Sequence, residues 1–404
     1  MRVLLVSPCL PLVHATHGGA VYLFALAAAL ARRVELRMVA FATAGEREGI
    51  SGLPAELAGV TLVPRRERGE QSRMSRAVSA AGYGANWLLR GLPLGVLKMH
   101  SAAMTRALRA ELASFRPDAV LLEMAVMAQY LDALRPVPVV LTDHEAATPV
   151  PARVLPWGLG RGREIANWER YFERRFRQAE RLQALNAEDA ASLGRRFGRE
   201  VGVRPPIVLI PRRIAAPGTA PERFLFFGDW SHAPNPEAAR YLVDAVLPRL
   251  RERAPNARLV LAGPRGGPEL AALAERPGVE FAGFVADLDG LLGGVRAVLA
   301  PLLSGDGSRI KVLTALAHGV PVVGNARALR GVDAGSPATR CHETPDALAA
   351  ACAELAHEPR LAAEAGAAAR AWAEARLSAD AVAATQLEAL HVMLDSLRRD
   401  TRSG

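Results

Sequence analysis

Short, unbroken apolar runs recur along this chain, separated by longer stretches whose apolar positions fall every three or four residues. Val3 to Val6 is the first such run. A turn-rich segment, Pro8 to Gly19, leads from it into a helical stretch, Ala20 to Arg33, and Val34 to Phe41 supplies a second run. Runs of this kind belong to strands covered on both faces, and their alternation with helices predicts a doubly wound parallel sheet. Ala119 to Leu122 and Val137 to Leu141 extend the sheet, with helical spacing over Met124 to Leu134 between them. Residues 161–198 predict one or two charged helices, on which Trp168, Tyr171, Phe172 and Phe176 recur as a buried face. Val201 to Pro221, rich in proline and poor in acids, predicts a linker.

The same grammar restarts at Phe224 to Phe227. A helix over Pro236 to Arg253 follows, then a strand at Arg258 to Ala262, a helix at Glu269 to Glu275 and a strand at Val279 to Ala282. A short helix from Asp287 leads to strand Ala297 to Ala300, a glycine-hinged loop, another helix and strand Val320 to Val323. Thr344 to Arg399 reads as alanine-rich and helical throughout. With 404 residues the chain exceeds one ordinary core. The expected fold class is α/β: two Rossmann-like, doubly wound parallel-sheet domains facing across a cleft, with a helical C-terminal tail. The expected boundaries are 1–205 and 222–375, with residues 376–404 a helix packing back on the N-terminal domain.

Composition narrows the partners. Half of the residues are hydrophobic and 23% charged, as in globular proteins. Residues 1–215 carry 30 Lys+Arg against 19 Asp+Glu, a balance of +11, whereas residues 216–404 carry 20 against 22, or −2. A basic first half suits an anionic partner, such as an acidic membrane face or a phosphorylated lipid; a solvated arginine face accounts for it equally well. The run Arg65 to Arg76 predicts a basic loop or helix that could lie against anionic lipid. No recognition helix or stacking-aromatic motif is present, so a nucleic-acid partner is not expected. Cys9, Cys341 and Cys352 are too few and scattered for a disulfide framework or metal cluster, which predicts a cytoplasmic protein without a bound metal. The opening Met-Arg-Val-Leu-Leu-Val-Ser-Pro is a strand pattern rather than a leader, and the apolar run Ala20 to Ala31 is too short to span a bilayer. A soluble protein, or one held peripherally at the inner membrane face, is expected.

Candidate chemistry concentrates at strand ends. Gly305 and Gly307 let backbone approach a ligand closely, Asp306 and Ser308 lie between and after them, and Arg309 and Lys311 add two cations where a helix opens. Free N–H groups, a helix dipole and paired cations suit a phosphate or diphosphate. Three further loops stand at strand ends: His17-Gly18-Gly19, Asp143-His144-Glu145 and Gly228 to Asn235. His232 is even-handed between a ligand and a surface role. Glu123 is expected to be solvated or bundle-facing, or to bind an acceptor hydroxyl. Asp287 and Asp289 open a short helix, where capping accounts for them better than a metal pair does.

These motifs resemble the retaining glycosyltransferases of the GT-B fold, family 4 (group 1). The resemblance rests on His17-Gly18-Gly19, on Gly228, Trp230 and Pro234-Asn235, on Pro248, Pro255 and Leu261-Ala262-Gly263, on Gly283 to Asp287, and on the series Pro301 to Val323. It implies a nucleoside-diphosphate sugar bound mainly by the second domain, and a glycan, lipid-linked or small-molecule acceptor bound mainly by the first. It further implies a metal-independent transfer needing no cofactor, in the biosynthesis of a polysaccharide, glycolipid or glycosylated metabolite. Arg309 and Lys311 would neutralise the leaving diphosphate and His144 would meet the transferring sugar, as the catalytic residues. Gly18, Gly19, Gly228, Gly305, Asp306, Gly307, Ser308 and Thr314 would bind the donor. Thr314 departs from the pattern, because the family places there a glutamate that binds the ribose hydroxyls. Two alternatives therefore stay open: a catalytically degenerate homologue that binds nucleotide or glycan, and a sugar-nucleotide epimerase on the same fold.

Overall fold

The apolar runs of the first half become the strands of one parallel sheet. They are β1 (Arg2–Ser7), β2 (Glu35–Ala42), β3 (Gly59–Pro64), β4 (Ala119–Glu123), β5 (Val139–Asp143), β6 (Arg181–Ala184) and β7 (Val201–Val203), in the order β3-β2-β1-β4-β5-β6-β7. The structure is a computed structural model that describes residues 1–12, 18–65, 82–144, 160–211, 222–304, 310–332 and 338–403. Val3 pairs with Leu36 on one side and Ala119 on the other, and Val3 to Val6 are wholly buried, which is why the run carries no polar residue. The order of strands reverses between β1 and β4, and such reversals are where open sheets bind ligands. This unit comprises Met1–Ile207 together with Val382–Gly404.

Several elements differ from the sequence expectation. Residues 161–198 are not helical throughout: the helices Gly160–Arg175 and Ala187–Phe197 are separated by β6. Arg-Leu-Gln-Ala is too short to show a strand period, and its strand state comes from parallel pairing with β5 and β7. The expected linker begins as β7 for the same reason. β3 and the helix Ala102–Phe115 gave no strong signal; the helix is capped by Ser101, whose Oγ accepts from Met104 N at 3.3 Å. The aromatic stripe is buried as expected, with Trp168 stacked on Phe172 at 5.2 Å and Tyr171 Oη donating to the Ala125 carbonyl at 3.0 Å.

The second unit, Val208–Ala381, holds β8 (Arg223–Phe227), β9 (Arg258–Ala262), β10 (Val279–Gly283), β11 (Ala297–Ala300), β12 (Val322–Gly324) and β13 (Thr339–Cys341). Its sheet is also parallel, ordered β10-β9-β8-β11-β12-β13, with the reversal between β8 and β11. The helix predicted over 236–253 runs from Pro234 to Arg253 with one π turn at Leu242–Val246. Pro248 lies just beyond that turn and lacks the N–H that a regular helix would require there. The tail is three helices, Pro345–His357, Pro359–Leu377 and Ala379–Ser403, interrupted at Glu358 and Ser378. Pro359 opens the second because a helix start needs no N–H from that residue. Among the described residues, no helix is long and apolar enough to cross a membrane.

Candidate functional site

In the second unit the ends of β8, β9 and β10 are locked together by backbone. Gly228 N donates to the Ala262 carbonyl at 3.0 Å and Gly263 N to the Gly283 carbonyl at 2.7 Å. Gly263 has φ +149°, and a Cβ there would lie 1.8 Å from the Gly228 carbonyl oxygen, so no other residue fits. Trp230 Nε1 donates to the Gly263 carbonyl at 3.1 Å and closes the turn from above. A Cβ on Gly228 would meet the Asn235 amide at 2.8 Å. Gly228 is thus small in order to admit Asn235.

Asn235 is 5% exposed and organises the loop. Its Nδ2 donates to the Asp229 carbonyl at 2.7 Å, and its Oδ1 accepts from Lys311 Nζ at 2.6 Å. Lys311 is the second residue of the helix Ile310–Ala317, and its ammonium lies 4.2 Å from the Phe226 ring centroid. A neutral acceptor and an aromatic face both contact this cation and help to hold it in place. Thr314 is half-buried one turn onward on the same helical face, and its carbonyl accepts from His318 N at 3.1 Å and from His318 Nδ1 at 2.7 Å. Asn325 secures the segment leading toward Lys311, accepting from Leu302 N at 3.2 Å and donating to the Leu302 carbonyl at 2.9 Å. Asp287 caps its helix, accepting from Gly290 N at 2.8 Å. Gly305, Asp306, Gly307, Ser308 and Arg309 lie outside the described residues, as do His17 and Glu145.

The first unit presents a different construction. Gly18 and Gly19 open the helix Gly18–Ala31, where backbone N–H groups have no helical partner. His144 follows β5 immediately, and its Nε2 lies 3.1 Å from Glu123 Oε2 at the end of β4. Glu123 is therefore neither solvated nor bundle-facing: it is wholly buried and paired with the equally buried Arg204, NH2 to Oε2 at 2.6 Å. Arg204 NH1 donates to Gln386 Oε1 at 3.1 Å, and the Arg204 guanidinium lies 5.5 Å from the Tyr22 ring centroid. Tyr22 in turn stands edge-on to His144, 5.7 Å between centroids at 85°. Burial opposes ionisation of Glu123, but the charge of Arg204 and the hydrogen bonds from His144 and Arg204 prevail and hold its carboxyl down at about 2. Burial likewise works against the Arg204 charge, and Glu123 and Tyr22 outweigh it, so its pKa is raised. Burial pushes the Tyr22 phenol up.

Of the expected site residues, Gly228 and Lys311 meet through Asn235, and Thr314 lies one turn from Lys311. His144, Gly18 and Gly19 belong to the first unit. The sequence reading missed Asn235 as a partner of Lys311, although its place at a fixed offset from Gly228 was visible. It also missed Arg204, Tyr22 and Gln386, which no local pattern links. Among the described residues no group of three or more His, Cys, Asp or Glu side chains is placed to hold a metal ion.

Residues 221–358 match the family model described as Glycosyl transferases group 1. No curated protein matches the sequence. Among solved structures, the chain resembles HepE of Anabaena in complex with UDP, with a TM-score of 0.60 at 13% identity over 97% of this chain and 100% of that one. It also resembles sucrose-phosphate synthase of Thermosynechococcus elongatus, with a TM-score of 0.64 at 13% identity over 98% and 100%. A glycosyltransferase of Rickettsia africae gives a TM-score of 0.62 at 11% identity over 97% and 98%. The chain thus has the GT-B fold of glycosyltransferases, and its second unit carries the group 1 glycosyltransferase pattern.

Proposed function

We propose that this protein is a retaining, metal-independent glycosyltransferase that moves a sugar from a nucleoside-diphosphate sugar to a glycan, lipid-linked or small-molecule hydroxyl. The observation that carries this is Lys311: its ammonium is fixed by Asn235 and Phe226 at the strand-order reversal of a sheet whose residues match group 1 glycosyltransferases. Cleaving the sugar–phosphate bond develops positive charge on the anomeric carbon and negative charge on the departing diphosphate. A cation already held in place stabilises that leaving group without reorganisation. Arg309 would add the second positive charge, Gly305 to Ser308 would admit the phosphates, and Thr314 would hold the ribose by a hydroxyl. Gly18 and Gly19 would offer N–H groups to donor or sugar, and His144 would address a sugar hydroxyl. UDP bound to the Anabaena relative supports a uridine donor as the first to test. A cytoplasmic location, with the basic first unit against an acidic membrane face, completes the proposal.

Thr314 favours one second reading, a homologue that binds nucleotide without turnover. A hydroxyl lacks the charge assistance of a carboxylate, a loss of about 1–2 kcal/mol in ribose binding.

Thermal-shift and calorimetric titration with UDP, GDP, ADP and dTDP, followed by transfer assays with the matching sugars, tests the proposal. At least one diphosphate should stabilise the protein, and Lys311→Ala should weaken it about tenfold to a hundredfold while sparing the nucleoside. Absence of any diphosphate shift, or equal weakening of diphosphate and nucleoside, would refute it. Binding without transfer would favour the second reading.

A further inference from the structure

Among the groups not yet given a role, Glu123 and Arg204 are costly to the fold. Both are wholly buried and meet at 2.6 Å beside His144. Stability alone does not require such a pair, since apolar residues of similar volume fill the space as well or better. Further costs surround it. Glu123 Oε1, Arg204 Nε and Gln386 Nε2 are buried without a hydrogen-bond partner. Met124, the next residue along from Glu123, has φ 69°, a region that long side chains avoid. Backbone strain of this kind persists where surrounding structure imposes it, and it gathers at functional sites.

The contact with His144 indicates the purpose. An ionised carboxylate only accepts hydrogen bonds, and Glu123, with its carboxyl held at about 2, is ionised at neutral pH. The proton in the 3.1 Å contact therefore belongs to His144 Nε2. In the neutral imidazole the other nitrogen, Nδ1, is then bare and accepts. Arg204 fixes the carboxylate oxygen that His144 meets, and Gln386 of the last helix fixes Arg204. Tyr22, edge-on to the imidazole, restricts its rotation. The His144 side chain itself keeps 14% exposure, so one part of it stays open to a ligand.

We infer that Glu123 and Arg204 are positioning residues for His144, holding its ring in the Nε2–H form so that Nδ1 accepts a hydrogen bond from a sugar hydroxyl. The hydroxyl rests on the glycosyl-transfer proposal above; the tautomer does not. Long-range nitrogen–proton NMR of the full chain labelled at histidine reads the tautomer directly, with the His144 signals assigned by their loss in His144→Gln. The expected result, for the neutral ring, is a protonated Nε2 and a bare Nδ1. A protonated Nδ1 with a bare Nε2 overturns the inference, whatever the enzyme does.

The paired replacement Glu123→Leu with Arg204→Met removes both charges without leaving either one buried alone. It should abolish the tautomer preference and lower kcat about tenfold to a hundredfold, the usual cost of losing the partner that orients an imidazole. UDP affinity should stay within about twofold, the diphosphate being held by Lys311 in the other unit. An unchanged kcat, or an unchanged tautomer, overturns the inference. If the paired variant does not fold, the NMR of the unaltered chain still decides. The two readings fail separately: an Nε2–H ring without sugar transfer removes the function and keeps the positioning, and transfer with an Nδ1–H ring does the reverse.

Discussion

The two units place chemistry at the ends of the same kind of parallel sheet, yet they hold those ends by opposite means. The second unit uses backbone: Gly228, Gly263 and Gly283 interlock, and Asn235 and Trp230 fasten the loop, within about fifty-five residues of sequence. The first uses charge: Glu123 and Arg204 form a buried pair, joined by Tyr22, His144 and Gln386 from distant parts of the chain. A backbone lock tolerates no added atom and is indifferent to pH. A charge lock tolerates paired apolar replacement and gives way when one partner is removed or protonated.

The comparison can be broken most forcefully at Gly263. Gly263→Val puts a Cβ onto the Gly228 carbonyl at a φ closed to valine, and should cost on the order of 5 kcal/mol, with lost hydrogen-exchange protection confined to β8, β9 and β10. Protection retained there would show that the lock is looser than described. Next in size, Arg204→Met alone strands the buried Glu123 carboxylate and should cost about 3–5 kcal/mol in the first unit by denaturant unfolding. The contrast with the paired replacement, which should be close to neutral, is what distinguishes a charge lock from simple packing.

Acid sharpens the comparison further. The Glu123 carboxyl lies at about 2 in the folded chain against an ordinary 4.5, so the folded state favours the ionised form. Its contribution is complete above about pH 4.5 and is lost as pH falls toward 2, on the order of 3 kcal/mol. Hydrogen exchange across that window should show β4 and β5 opening before β8 and β9, and Glu123→Gln should flatten the slope. Simultaneous opening would contradict the assignment of the lock to charge. The smallest effect is expected at Asn235→Ala, which removes one bond to Lys311 and one to the Asp229 carbonyl and should cost about 1–2 kcal/mol. Its signature is weaker binding of diphosphate than of nucleoside by calorimetry; equal losses would mean that Asn235 serves only the loop.

Legibility followed the same division. The strands at Val3, Phe224, Arg258 and Ala297 were visible because burial on both faces demands uninterrupted apolar runs. Gly228, Asn235 and Lys311 were visible as motif positions because each stands in a short run, a strand-end turn or a helix start, that needs particular residues at fixed offsets, although the contact between Asn235 and Lys311 spans 76 residues and was not visible. β6 and β7 escaped notice, since strands of four and three residues are made by their neighbours rather than by their own pattern. Glu123 was read as solvated or bundle-facing, or as an acceptor-hydroxyl ligand, because nothing within its own segment announces a partner 81 residues away.

The amino-acid sequence by itself determined two parallel-sheet units, the glycine positions and the cation at Lys311, because periodicity, turn chemistry and helix starts act over a few residues. Only the tertiary structure decided that Arg204, expected in a linker, and Gln386, in the helical tail, would close around Glu123 and His144. Charges select their partners by distance in space and by exclusion of water, and neither quantity is written in the order of residues along a chain.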